Sequence, residues 1–140
     1  MVSRIILAVV VIAVAIVIAR QLERRRPAPP TRDAYPVPAQ LDRLDFPRPD
    51  APWLYVLFSS RTCDTCAPMV GRVCALESEA VATVQVEAKA DKALHDRYRI
   101  EGVPMVVLAD SEGVVRAGFV GAVDTWELEE ALAKAQAGPV

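Results

Sequence analysis

The chain has 140 residues, 53% hydrophobic and 24% charged, which is enough for one core of the usual ~100–150 residues plus accessories and too apolar for wholesale disorder. A formal charge of −2 gives no basic excess for nucleic acid, and three cysteines are too few for a disulfide-stapled scaffold. The charge is split along the chain: residues 1–32 carry net +5, residues 33–52 net −2 and residues 53–140 net −5.

Residues 5–19 are an unbroken apolar run. As a helix it covers ~22 Å, short of a ~30 Å hydrocarbon core. Extended to residues 2–22, with Arg4 and Arg20 reaching toward the headgroups, it covers ~31 Å, so this stretch is expected to be a single membrane-spanning helix. A cleaved signal peptide is the competing reading. Against it, the run is followed by Arg20, Arg24, Arg25 and Arg26 rather than by a small-residue cleavage motif. Residues 1–26 are therefore expected to be a transmembrane anchor with a basic flank. Only Arg4 precedes the span and Arg20, Arg24, Arg25, Arg26 and Arg32 follow it, so the positive-inside rule puts the following domain on the cytoplasmic face of the cell membrane, with the extracytoplasmic side as the alternative.

Residues 27–52 hold eight of the eleven prolines, which removes backbone donors and favours extended chain. This reads as a tether, except that residues 39–46 either belong to it or join the fold as a short strand. Residues 53–140 have the pattern of a folded domain. Residues 53–58 are continuously apolar, as in a strand covered on both faces. Cys63-Asp64-Thr65-Cys66 follows, then a helix to about residue 78 with Met69, Val70, Val73, Cys74 and Leu76 as its apolar stripe. A strand over 81–86, a short helix over 91–98, strands over 105–109 and 114–119 joined by Asp110-Ser111-Glu112-Gly113, and a terminal helix opened by Asp124 and Glu127 complete the order. The fold class is α/β, a mixed sheet flanked by helices.

A Cys-x-x-Cys pair is open to three readings: thiol–disulfide exchange, half of a structural zinc site, or inert thiols or a static disulfide. Zinc requires four ligands, and beyond the pair the chain offers only Cys74 and His95 besides carboxylates. No metal is therefore assigned. Cys74 reads as a core residue of its helix, His95 as a solvated residue of a charged one, and Trp53 and Trp126 as packing residues.

Over residues 53–136 the chain resembles the thioredoxin superfamily. The likeness is carried by Phe58 ahead of Cys63-Asp64-Thr65-Cys66, by Tyr98-Arg99-Ile100-Glu101-Gly102-Val103-Pro104, and by residues 110–121 closing toward a terminal helix. The resemblance implies a thioredoxin-like fold with Cys63 as the attacking thiol and Cys66 as the resolving one. It also implies that a cis peptide bond at Pro104 faces the dithiol, leaving the Val103 backbone to pair with substrate. Three positions depart from the family pattern: Thr62 replaces the tryptophan before the first cysteine, Asp64-Thr65 replaces Gly-Pro, and Leu57 replaces a buried acid. The expected function is a membrane-anchored thiol–disulfide oxidoreductase acting on protein or small-molecule disulfides without a cofactor. The rival is a tethered binding module of the same fold that captures a metal or docks a partner without turnover.

Overall fold

The computed structural model describes residues 1–24 and 35–138, with the side chains at positions 2, 4 and 19–24 also outside the description. Pro27, Pro29 and Pro30 of the expected tether lie outside these residues. The chain forms two compact units, Met1–Thr31 and Arg32–Val140.

The first unit is one helix, α1 (Val2–Arg24). Its apolar side chains between Ile5 and Ile18 are all exposed. They cover about 21 Å, against ~30 Å of hydrocarbon, and among the described residues no helix is long and apolar enough to cross a membrane.

The second unit is built on a four-stranded sheet. Strands β1 (Trp53–Ser59), β2 (Val81–Glu87), β3 (Met105–Ala109) and β4 (Val115–Val120) lie in the order β2-β1-β3-β4. β1 is parallel to β2 and antiparallel to β3, and β3 is antiparallel to β4. Helices α2 (Cys66–Cys74), α3 (Lys92–Arg97) and α4 (Thr125–Ala137) complete it. Because successive strand side chains point to opposite faces, the continuous apolar run of β1 feeds two cores. Leu54, Val56 and Phe58 join Met105, Val107 and Ala109 on one face, with Leu94 and Tyr98 from the α3 region packed against them. Tyr55 and Leu57 join Val106 and Leu108 on the other, under Met69 and Val73 of α2 and Leu128 of α4. The Asp124 side chain and Glu127 form a capping box that starts α4.

The proline-rich stretch before β1 packs on this domain from Tyr35 onward. Leu41, Phe46 and Ala51 are buried in the first core, and a 3-10 turn spans Arg43–Asp45. Gln40 makes an antiparallel bridge to Val114, outside any strand. Gly113 is required opposite it: its φ is +80°, and a Cβ there would meet the Leu41 carbonyl oxygen at 2.0 Å. Arg43 is buried, and its guanidinium donates to the carbonyls of Asp110 (2.7 Å), Arg48 (3.2 Å) and Ala51 (2.9 Å). One long cation thus ties the Arg48–Ala51 loop to the turn at Asp110.

α2 ends at Cys74, earlier than the expected residue 78, because the chain turns through Leu76 N–H to Val73 O and Glu77 N–H to Cys74 O. The Glu77 carboxylate then accepts the Thr83 N–H and hydroxyl, both at 2.7 Å.

Candidate active site

The antiparallel register pairs Phe58 near the end of β1 with Met105 at the start of β3. The loop leaving β1, Ser60-Arg61-Thr62-Cys63, is therefore beside the segment entering β3, Val103-Pro104. The sheet brings together two motifs that lie far apart in the chain. The Val103–Pro104 peptide is cis, and Cys63 Sγ is 4.0 Å from the Val103 carbonyl oxygen. On the far side of this segment the Gly121 N–H donates to the Pro104 carbonyl at 2.8 Å, fixing it to the end of β4.

Cys63 and Cys66 form a disulfide with a Cα–Cα distance of 5.4 Å. The two sulfurs differ in access: Cys63 is half-buried, whereas Cys66 is 2% exposed under the first turn of α2. Cys63 precedes the helix and is joined to it by a turn in which the Cys66 N–H donates to the Cys63 carbonyl at 3.2 Å. Thr65 Oγ1 is 3.4 Å from Cys63 Sγ, placed to donate to a thiolate. The sequence had marked Thr65 only as half of the Asp64-Thr65 pair that stands in place of Gly-Pro, without a role.

Glu87, at the end of β2, is a second residue that sequence reasoning missed. Its carboxylate accepts backbone N–H groups from Ala90 (2.8 Å), Lys89 (3.0 Å) and Arg61 (3.2 Å). These bonds, led by that from Ala90 and aided by the Arg61 charge, outweigh the cost of its burial and hold it below the usual glutamate range. The available signal was an acid closing a strand ahead of a short turn, Glu87-Ala88-Lys89-Ala90. Ser59, also buried, accepts from Gln85 Nε2 at 2.9 Å and receives the Ala88 N–H on its carbonyl at 2.9 Å. The loop before Cys63 is thus held by polar bonds from the β2 end.

Three sequence expectations are corrected. Cys74 is exposed and not core: the buried face of α2 is Cys66, Met69 and Val73, and the next residue is turned ~100° away from it. His95 is buried and not solvated, with its ring edge-on to Phe58 at 5.4 Å and Nε2 3.0 Å from the Val86 carbonyl. Trp126 is 62% exposed, while Trp53 packs against the second core.

Leu57, at the position where the resemblance expects an acid, is 1% exposed. Its burial contributes about 1.5–3 kcal/mol, where an unpaired carboxylate would cost free energy to desolvate. Among the described residues no group of three or more His, Cys, Asp or Glu side chains is arranged to hold a metal ion.

Several solved structures share this architecture. A mutant thioredoxin from Halobacterium salinarum is 24% identical, with a TM-score of 0.57 over 73% of this chain and 90% of its own. The germline-specific thioredoxin Deadhead of Drosophila melanogaster is 24% identical, with a TM-score of 0.53 over 61% of this chain and 83% of its own. A malarial protein is 14% identical, with a TM-score of 0.55 over 59% and 96%. No family model and no curated protein matches the chain. At these identities the likeness is one of fold, and the fold is thioredoxin-like.

Proposed function

We propose that the protein is a thiol–disulfide oxidoreductase in which Cys63 attacks and Cys66 resolves. The observation that carries this reading is the unequal access of a bonded pair, with Cys63 half-buried beside the Val103-Pro104 segment and Cys66 sealed behind it. In the reduced enzyme the Cys63 thiolate attacks a substrate disulfide, forms a mixed disulfide and expels the other substrate sulfur as a thiolate. Cys66, deprotonated, then attacks Cys63 Sγ and releases the substrate as a dithiol. Two electrons pass from enzyme to substrate, and the Cys63–Cys66 disulfide is left for an external thiol to reduce. Val103 and Pro104 are the substrate-binding residues of this reading: no described hydrogen bond uses the Val103 N–H, which leaves it available to an extended substrate chain.

The test is trapping. Cys66→Ser, reduced and mixed with a disulfide protein such as insulin, accumulates a mixed disulfide that a reductant dissolves, and Cys63→Ser accumulates none. Trapping by Cys63→Ser alone would reverse the roles. If the wild type gives no catalysed insulin reduction above the background of reductant alone, the activity itself is refuted.

The same reading includes an anchor. Residues 2–22 are taken as membrane-embedded because α1 exposes apolar side chains all round, a surface that requires apolar surroundings, and Arg4 and Arg20 bracket it. The excess of arginine after the run supports a domain on the cytoplasmic face. Retention in the membrane pellet after an alkaline carbonate wash is the expected result, and release into the supernatant would remove the anchor. An active alkaline phosphatase fusion at Val140 with a dark green fluorescent one would move the domain outside.

A further inference from the structure

The chain ahead of β1 lies along the outer edge of β4. The Val115 N–H donates to the Ala39 carbonyl at 3.0 Å, and Val37 is so close to Gly118 that a Cβ there would meet its Cγ1 at 2.4 Å. Pro36 and Pro38 favour an extended path at this point. Just before them the Tyr35 ring lies on Gly102, where a Cβ would lie 2.7 Å from Cδ2 and 2.8 Å from Cγ of the ring. The next residue, Val103, is the one whose carbonyl faces Cys63 Sγ. Tyr35 keeps 41% of its surface exposed, and with Leu44 and Trp126 it is one of three large apolar side chains left exposed among the described residues of its unit.

We infer that Tyr35 is a specificity-determining residue of the exchange reaction, walling the substrate groove beside Val103 and selecting disulfides on extended polypeptides with an apolar side chain near the attacked cysteine. The inference rests on Cys63 being the attacking thiol. One Cα step of ~3.8 Å leads from Gly102 to Val103, whose carbonyl is 4.0 Å from Cys63 Sγ, so the ring is on the order of 10 Å from the sulfur, a reach of two or three residues of extended substrate. Covering the exposed part of an aromatic side chain removes apolar surface from water, so an apolar substrate side chain is favoured there over glycine. A disulfide too small to extend that far gains nothing from it.

Exchange is measured on two disulfide peptides that differ only in carrying leucine or glycine at the second and third positions from the attacked cysteine. The wild type is expected to prefer the leucine peptide. Tyr35→Ala lowers the kcat/KM ratio between the peptides by roughly five- to tenfold, mainly through KM, and Tyr35→Phe keeps it. Gly102→Ala, which displaces the ring without removing it, lowers the ratio as well and adds little in a Tyr35→Ala background. Equal losses on both peptides, an unchanged ratio in Tyr35→Ala, or a full second loss in the double variant overturns the inference. A wild type that exchanges with neither peptide overturns the oxidoreductase reading beneath it.

Discussion

Glu87 accepts the Arg61 backbone N–H, and through that bond the end of β2 holds the loop that presents Cys63. Glu87→Gln replaces one acceptor oxygen with a donor, so the three N–H groups at Arg61, Lys89 and Ala90 cannot all be satisfied. The variant is expected to melt lower at pH 7 and to exchange disulfides more slowly. Because the folded carboxyl lies below its ordinary 4.5, its contribution is complete above that pH and is lost as the pH falls through the folded value. Melting curves of wild type and variant should therefore converge in acid, and a gap that stays constant from pH 7 to pH 3 would show that the charge is not what holds the loop.

Tyr55 makes the corresponding tie on the other face of the sheet. Its buried hydroxyl donates to the Leu128 carbonyl at 2.6 Å, joining β1 to α4. Tyr55→Phe is expected to cost about 1 kcal/mol, a fall in Tm of roughly 4–8 °C for a domain of this size. Burial, the larger cause, and the nearby Glu129 charge push the hydroxyl far above the ordinary tyrosine value of 10.0. Its raised pKa means the contribution holds below pH 10 and fades above it, so wild type and variant should differ less in alkali. An unchanged Tm in Tyr55→Phe would refute the tie.

Much of this domain was readable from the sequence, and the exceptions share a cause. β3 was legible residue for residue, and β1 and β2 to within one, because apolar runs of strand length bounded by turn residues have few other uses. α4 announced itself through Asp124 and Glu127. What was not legible depends on partners distant in the chain. Arg43 is buried because carbonyls from two loops, at Arg48 and Ala51 and at Asp110, meet it, and His95 because Phe58 and the Val86 carbonyl do. Neither leaves a periodic trace. In the site itself the spacing of Cys63 and Cys66 pointed to the dithiol, while the contact of Thr65 with Cys63 and the parts of Glu87 and Tyr35 came into view only with the fold.

Cys74 shows how a stripe argument fails at its margin. Read as core, it would cost stability on truncation. Exposed on α2, Cys74→Ser should shift stability by no more than about 0.5 kcal/mol and leave exchange intact. With Cys63 and Cys66 oxidised, a maleimide should label the native protein once, at Cys74. A native protein that takes up label only after denaturation would return the residue to the core.

Thr65 bears most directly on reactivity. The groups placed to stabilise the Cys63 thiolate are the start of α2 and the Thr65 hydroxyl at 3.4 Å. A hydroxyl donates one hydrogen bond to an anion, and charge-assisted bonds are about twice as strong as neutral ones. At a half-buried site this corresponds to roughly a three- to tenfold change in the thiolate fraction. Thr65→Val keeps the shape and removes the donor, whereas Thr65→Ser keeps the donor. Alkylation of reduced Cys63 by iodoacetamide at pH 7, read in a Cys74→Ser background, should slow by that factor in the valine variant and hold in the serine variant. The gap should close at high pH, where the thiol ionises without help. If Thr65→Val and Thr65→Ser alkylate at the same rate, the hydroxyl has no part in activating Cys63 and the helix start alone must account for its reactivity.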